Sequence, residues 1–202
     1  MTNRLPLPVK RLADELSKLP GIGPRQAIRL AFFLIHEGQN SIHALATEID
    51  NLKNIKVCSR CFYIHENLNN LCDICGDPKH DQKVIMIVEK DTDLLSLENT
   101  RKFNGRYFIL GTISKTGILD DSQKLRIQSL KAFIQKELGG KANEIIIALN
   151  PSNIGEFNTL MLKKELNDVA EKISRLGRGL PTGGEIEFAD DETLGAALER
   201  RG

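Results

Sequence analysis

The four cysteines of the chain form two CxxC pairs, Cys58-Ser-Arg-Cys61 and Cys72-Asp-Ile-Cys75, with ten residues between them. Two such knuckles place four soft ligands around one ion, which is the tetrahedral preference of Zn²⁺. The protein fills every coordination position, so the expected ion is structural, one Zn²⁺ per chain, rather than catalytic. Gly76 follows the second pair, where a tight turn is expected to present thiolates and backbone N–H groups together. Disulfides or a redox pair are the competing readings, disfavoured in a chain without a leader because cytosolic thiols stay reduced. His65 and His80 lie nearby, but with four thiolates available they are expected at the surface. So small a module cannot bury enough apolar surface alone, and zinc would supply its folding energy, on the order of 10 kcal/mol.

A second group surrounds Leu19-Pro20-Gly21-Ile22-Gly23-Pro24. Amphipathic helices are expected on both sides: Val9, Leu12, Ala13, Leu16 and Leu19 before it, and Arg25 to Ile35 after it. Gly21 and Gly23 permit a turn whose backbone N–H groups can approach a phosphate at a helix N-terminus, with Ile22 tucked into the helix pair. Arg25 and Arg29 stand four apart and share a face beside this hairpin, and Lys18 flanks it from the first helix. Residues 1–35 carry six Lys/Arg against two Asp/Glu. This pattern suits phosphate-directed, sequence-independent DNA binding. An ordinary αα-turn with a solvated basic face is the alternative.

The third group is acidic. Glu89 and Glu156 follow apolar runs that read as strands, and Asp91 and Asp93 lie just beyond Glu89. Carboxylates at strand ends can hold Mg²⁺ for phosphoryl chemistry, or simply make polar loop tops, and spacing does not separate the two readings.

The elements that must position these groups are legible in outline. A third helix, Ile42 to Leu52, is expected with Ser41 as its N-cap. Val84–Val88, Tyr107–Leu110 and Ile145–Leu149 are continuous apolar runs, as expected of strands buried on both faces. Helices are expected at Leu94–Glu98, Gln123–Leu138 and Phe157–Lys172. The alternation argues for an open parallel α/β sheet, whose ligand sites lie beyond the carboxyl ends of its strands. The tail is glycine-rich from Leu176 to Gly184 and lacks the Gly-Lys-Ser/Thr of a phosphate loop, so it reads as a turn leading to a short strand and a final helix, Glu192–Glu199.

At 202 residues, 41% hydrophobic, 27% charged and a net charge of +1, the chain reads as a globular protein and not as a polycationic coat. No apolar run reaches the ~18–20 residues of a membrane span. The opening residues show no signal-peptide core, so the expected location is cytoplasmic.

Taken in order, these signatures resemble the RecR family of bacterial recombination mediators over essentially the whole chain. They are Leu-Pro-Gly-Ile-Gly-Pro at 19–24, the cysteine set, Ile87-Val88-Glu89, and Arg178-Gly-Leu-Pro-Thr-Gly-Gly leading to Glu187-Phe-Ala-Asp190. The resemblance implies a multidomain α/β architecture. Residues 1–53 would form a helix-hairpin-helix domain, 54–79 a Cys₄ zinc finger, 80–175 a Toprim-type parallel sheet domain, and 176–202 a C-terminal strand-helix segment. It implies a non-catalytic DNA-binding adaptor that forms a homotetrameric ring and helps RecO and RecF load recombinase at single-stranded gaps. DNA contact is implied for Arg25 and Arg29, and partner contact for Glu89 and Asp93, with Glu156 on the same strand-end surface. The departures are Lys90 where relatives often carry a second acid, Ile154-Gly155-Glu156 for Glu-Gly-Glu, and Asn150-Pro151-Ser152 where catalytic Toprim enzymes carry Asp-x-Asp. With that pair missing, a Mg²⁺ site built from Glu89 and Glu156 would hold few oxygens beyond water, which favours the adaptor over the alternative function, a Mg²⁺-dependent Toprim nuclease or strand-transfer enzyme.

Overall fold

The computed structural model describes residues 5–177, 179–180 and 182–199. The chain divides into two compact units, Met1–Ile55 and Lys56–Gly202. The first holds α1 (Leu7–Leu16), α2 (Pro24–Glu37) and α3 (Gln39–Asn51), closed by a 3₁₀ turn at Leu52–Asn54. Val9 and Ala13 of α1 are buried, as are Ala27 and Ala31 of α2. The alanines stand four apart and make a smooth stripe that lets a neighbouring helix approach closely.

α1 stops short of Pro20. Ser17 Oγ donates to Asp14 O at 2.8 Å, and Lys18 and Leu19 N–H groups bond three residues back, which tightens the last turn and ends the helix. Gly21 has φ +79°, a conformation other residues resist, and Gly23 caps α2 with Pro24 at its first turn. The expected Ser41 cap of α3 is not used. The helix begins at Gln39 with Gly38 (φ +92°) as its N-cap, so Ser41 falls inside the first turn.

The second unit begins with the cysteine knuckles, built on β1 (Lys56–Val57), its antiparallel partner β2 (Ile64–His65) and the single turn α4 (Asp73–Gly76). Then follow β3 (Asp81–Val88), α5 (Asp91–Glu98), β4 (Gly105–Ile109), α6 (Asp121–Glu137), β5 (Ala142–Ala148), α7 (Asn153–Leu166), β6 (Ala170–Arg175) and α8 (Asp191–Glu199). The four long strands form one parallel sheet in the order β4-β3-β5-β6. Alternate residues of β3 serve opposite faces. Ile85 and Ile87 join Ile127, Leu130 and Ile134 of α6 and Leu162 and Leu166 of α7. Met86 and Val88 join Leu94 of α5, with Tyr63 and Ile74 of the knuckles packed beside them. Both faces are covered, which is why the strand reads as an unbroken apolar run.

Two expectations for the last third are corrected. The helix expected to run to Lys172 ends at Leu166, and Ala170–Arg175 is the edge strand β6. Its charges resemble a helix surface but are what a sheet edge carries, and Lys172 pairs across the ladder with Glu144 at 2.8 Å. The expected strand before α8 is a 3₁₀ turn, Ile186–Phe188, with Phe188 79% exposed. Arg178 and Pro181 of the glycine-rich motif lie outside the described residues.

Candidate metal centre and nucleic-acid interface

Cys58, Cys61, Cys72 and Cys75 are all buried, and their sulfurs lie within 4.8 Å of one another. None forms a disulfide, and Cys61 Sγ and Cys72 Sγ are 3.5 Å apart. A tetrahedron with metal–sulfur bonds of about 2.3 Å has edges of roughly 3.8 Å, so the donor set fits a thiophilic tetrahedral ion. The first knuckle closes through Cys58 N–H to Tyr63 O at 2.8 Å and Phe62 N–H to Cys58 O at 3.0 Å, with Phe62 at φ 64°. The second closes through Gly76 N–H to Cys72 O at 2.9 Å, the tight turn expected there. Crowding separates the thiols electrostatically. Hydrogen bonds from Cys61, Cys72 and Cys75 hold Cys58 far below the usual thiol range, and the bond to Cys58 pushes Cys61 far above it.

His65 is not at the surface. It is buried, and its Nδ1 accepts the Asn67 N–H at 3.2 Å across the turn after β2. His80 is half-buried, with Nδ1 3.0 Å from Gly105 O.

The knuckles dock on the sheet through specific contacts. Cys61 O accepts the Ile109 N–H of β4 at 2.8 Å. The Phe62 ring meets Phe108 edge-on at 5.6 Å, and the Arg126 guanidinium lies 4.7 Å from the Phe62 ring centre. Arg60, between the first two cysteines, pairs with Glu137 of α6 at 2.9 Å.

In the helical unit, Arg25 and Arg29 are exposed at the start of α2, and among the described residues neither has a carboxylate in salt-bridge reach. Lys18 is exposed too but pairs with Glu15 at 2.7 Å. A Cβ placed on Gly21 or Gly23 would meet nothing within 4 Å, so the hairpin backbone is open to an approaching ligand. Ile22 is half-buried, and its N–H bonds Leu19 O at 3.2 Å.

The acidic residues are dispersed into separate duties. β3 and β5 are the neighbours at which the strand order reverses, the usual position of a ligand crevice in such sheets. Glu89, beyond β3, is buried there. Its Oε1 accepts the Ile113 N–H at 3.2 Å and its Oε2 accepts from Asn150 Nδ2, beyond β5, at 3.1 Å. Lys90 Nζ stands 3.9 Å from Oε1. Asp93 accepts the Lys90 N–H at 3.0 Å and closes the first turn of α5. Glu156, in the first turn of α7, pairs with Arg175 of β6 at 2.6 Å. Among the described residues, the cysteines are the one group of three or more side chains placed to share an ion.

Family comparisons match consecutive stretches of the chain: RecR helix-hairpin-helix over residues 9–53, Toprim domain over 83–177 and RecR C-terminal over 179–201. A relative named recombination protein RecR, from Roseiflexus castenholzii, is 40% identical over 199 residues, which is 98% of this chain and 94% of the relative. The chain belongs to the RecR family. Further RecR proteins agree: that of Chloroflexus aggregans is 42% identical across 96% of this chain and 93% of its own length, and that of Frankia alni 38% across 96% and 95%. Several residues of this RecR-family chain that build its sites carry no motif of their own. Asn150 supplies an amide where catalytic Toprim enzymes would carry acid, and its partner Glu89 is distant in sequence. Arg60 shows in the sequence only as a spacer inside a CxxC pair, and Arg175 falls between the expected helix and the glycine-rich tail.

Proposed function

We propose that this RecR-family chain is a non-catalytic, sequence-independent DNA-binding adaptor of recombinational repair in the cytoplasm, acting with RecO and RecF to load recombinase at single-stranded gaps. The observation that carries the reading is the exposed, carboxylate-free pair Arg25 and Arg29 beside the open backbone of Gly21 and Gly23. Such a face offers cations and N–H groups to phosphates and nothing that reads a base edge. Lys18, shared with Glu15, is the weaker contributor. The cysteine set would hold one structural Zn²⁺ per chain.

The adaptor reading is supported by how Glu89 is satisfied. Its carboxylate takes an amide, a backbone N–H and a nearby ammonium, so protein groups answer its charge. Asp93 and Glu156 remain half-buried on the strand-end surface, where a protein partner could meet them, while Glu89 shapes the loops beneath.

One hairpin with a few phosphate contacts binds weakly, with non-specific Kd values of ~10⁻⁴–10⁻⁶ M at physiological salt. A homotetrameric ring would raise the effective concentration of contacts and slow escape. The exposed apolar side chains Phe32, Phe33 and Ile35 of α2 and Ile42, Leu45 and Ile49 of α3 support such self-association.

The test is a titration of duplex and gapped DNA over a range of salt with Mg²⁺ present, scored for binding and cleavage together. Arg25→Ala with Arg29→Ala should weaken binding to all sequences alike and flatten the log–log salt slope by about two. Unchanged affinity in the double variant would remove the hairpin from the mechanism. Metal-dependent nicking abolished by Glu89→Gln would replace the adaptor with a Toprim nuclease.

A further inference from the structure

Arg106 lies on β4 and is 4% exposed, yet among the described residues no carboxylate forms a salt bridge with it. Its Nη2 donates to Cys75 Sγ at 3.1 Å, and its guanidinium carbon lies 4.7 Å from the centre of the Phe133 ring. Nε and Nη1 are buried without a hydrogen-bond partner. A buried guanidinium in such surroundings is among the costliest arrangements in a protein unless an anion answers it. A neutral thiol is a poor answer, being a weak acceptor with no charge. Four thiolates around a divalent ion leave an excess of two negative charges at the position to which Nη2 points.

We propose that Arg106 is the charge-compensating positioning residue of the metal centre, donating to the Cys75 thiolate and tying the loaded knuckles to the sheet. The inference rests on the zinc reading above. The three parts come from different elements: Cys75 from α4, Arg106 from β4 and Phe133 from α6. The aromatic face accepts the cation without neutralising it, which leaves its N–H groups for sulfur. Binding of the ion and seating of the guanidinium therefore favour one another. The metal-free protein carries a buried cation without its counter-charge, and the loaded protein does not.

The experiment uses the full chain. Zinc affinity of wild type, Arg106→Met and Arg106→Lys is read by competition with a chromogenic chelator, and melting is followed for metal-free and zinc-loaded forms. Arg106→Met should weaken zinc 10–100-fold, the usual cost of losing a group that supports a ligand. It should also raise the Tm of the metal-free protein while lowering that of the loaded one. A fall in Tm of equal size in both forms, or zinc affinity within twofold of wild type, overturns the proposal. Should Arg106→Met not fold, Arg106→Lys loaded with Co²⁺ decides: the ammonium ends one bond short of the Nη2 position, and the weakened N–H···S bond moves the thiolate-to-cobalt charge-transfer band to lower energy, whereas an unmoved band overturns the proposal. A wild-type chain that binds no metal overturns the zinc reading along with this one. A wild type that binds while Arg106→Met binds equally well overturns the role of Arg106 alone.

Discussion

At the strand ends, Asn150 donates an amide hydrogen to a buried carboxylate whose second oxygen already accepts from Ile113 N–H. Exchanging the amide for an acid would set an exposed carboxylate at hydrogen-bond distance from the buried Glu89, two like charges of which one must protonate or find a cation. Asn150→Asp should therefore destabilise the protein by about 1–3 kcal/mol in chelator, seen as a Tm lower by several degrees, and Mg²⁺ or Mn²⁺ should restore much of the loss. A variant melting like wild type in both buffers would mean that Glu89 is not balanced by this amide. The backbone at Asn150 is itself tightly held, because a Cβ on Gly155 would collide with the Asn150 carbonyl oxygen. Glu89 is legible from sequence, since an acid closing an apolar run marks a strand end. Its partnership with Asn150 is not, because the two are 61 positions apart and only the sheet order brings them together.

Among the elements, β3, β4 and β5 are legible because burial on both faces leaves no room for polar residues. β6 escapes the same reading because an edge strand needs few inward side chains, here Ala170 and Ile173, with Glu171 and Lys172 between them and Arg175 beyond. The end of α1 and the start of α3 depart from the periodic pattern for a related reason. Hydrogen bonds at Ser17 and the backbone of Gly38 decide them, and neither leaves a periodic trace. The cysteine spacing was the clearest signal, but not the element it docks on. Because Cys61 O holds the Ile109 N–H, the knuckles and β4 should loosen together. Cys58→Ser with Cys61→Ser should remove the bound metal and speed hydrogen exchange at the Ile109 amide by at least tenfold, while Ile147 in β5 keeps its protection. Equal acceleration at both sites would mean global unfolding instead of local release.

For the molecule as a whole, the division at Ile55 assigns the exposed arginines Arg25 and Arg29 to one compact unit and the cysteine centre with the sheet to the other. The small unit buries few side chains and leaves Phe33 and Ile49 more than half exposed. If the chain assembles as proposed, Phe33→Asp with Ile49→Asp should convert the assembly into monomers by sedimentation equilibrium and weaken DNA binding through lost multivalency, without changing the metal content. Monomers in the wild type at micromolar concentration would undercut the ring.

With the proposed ion in place, the bond between Cys61 and β4 also guards the solubility of the protein. β4 is a terminal strand of its sheet, and the knuckle covers the side that faces no other strand. A chain stripped of its ion uncovers that border, a template for adding a foreign strand. Chelation should then lead to insoluble, β-rich aggregates rather than to a dispersed unfolded chain, with their yield rising steeply with protein concentration.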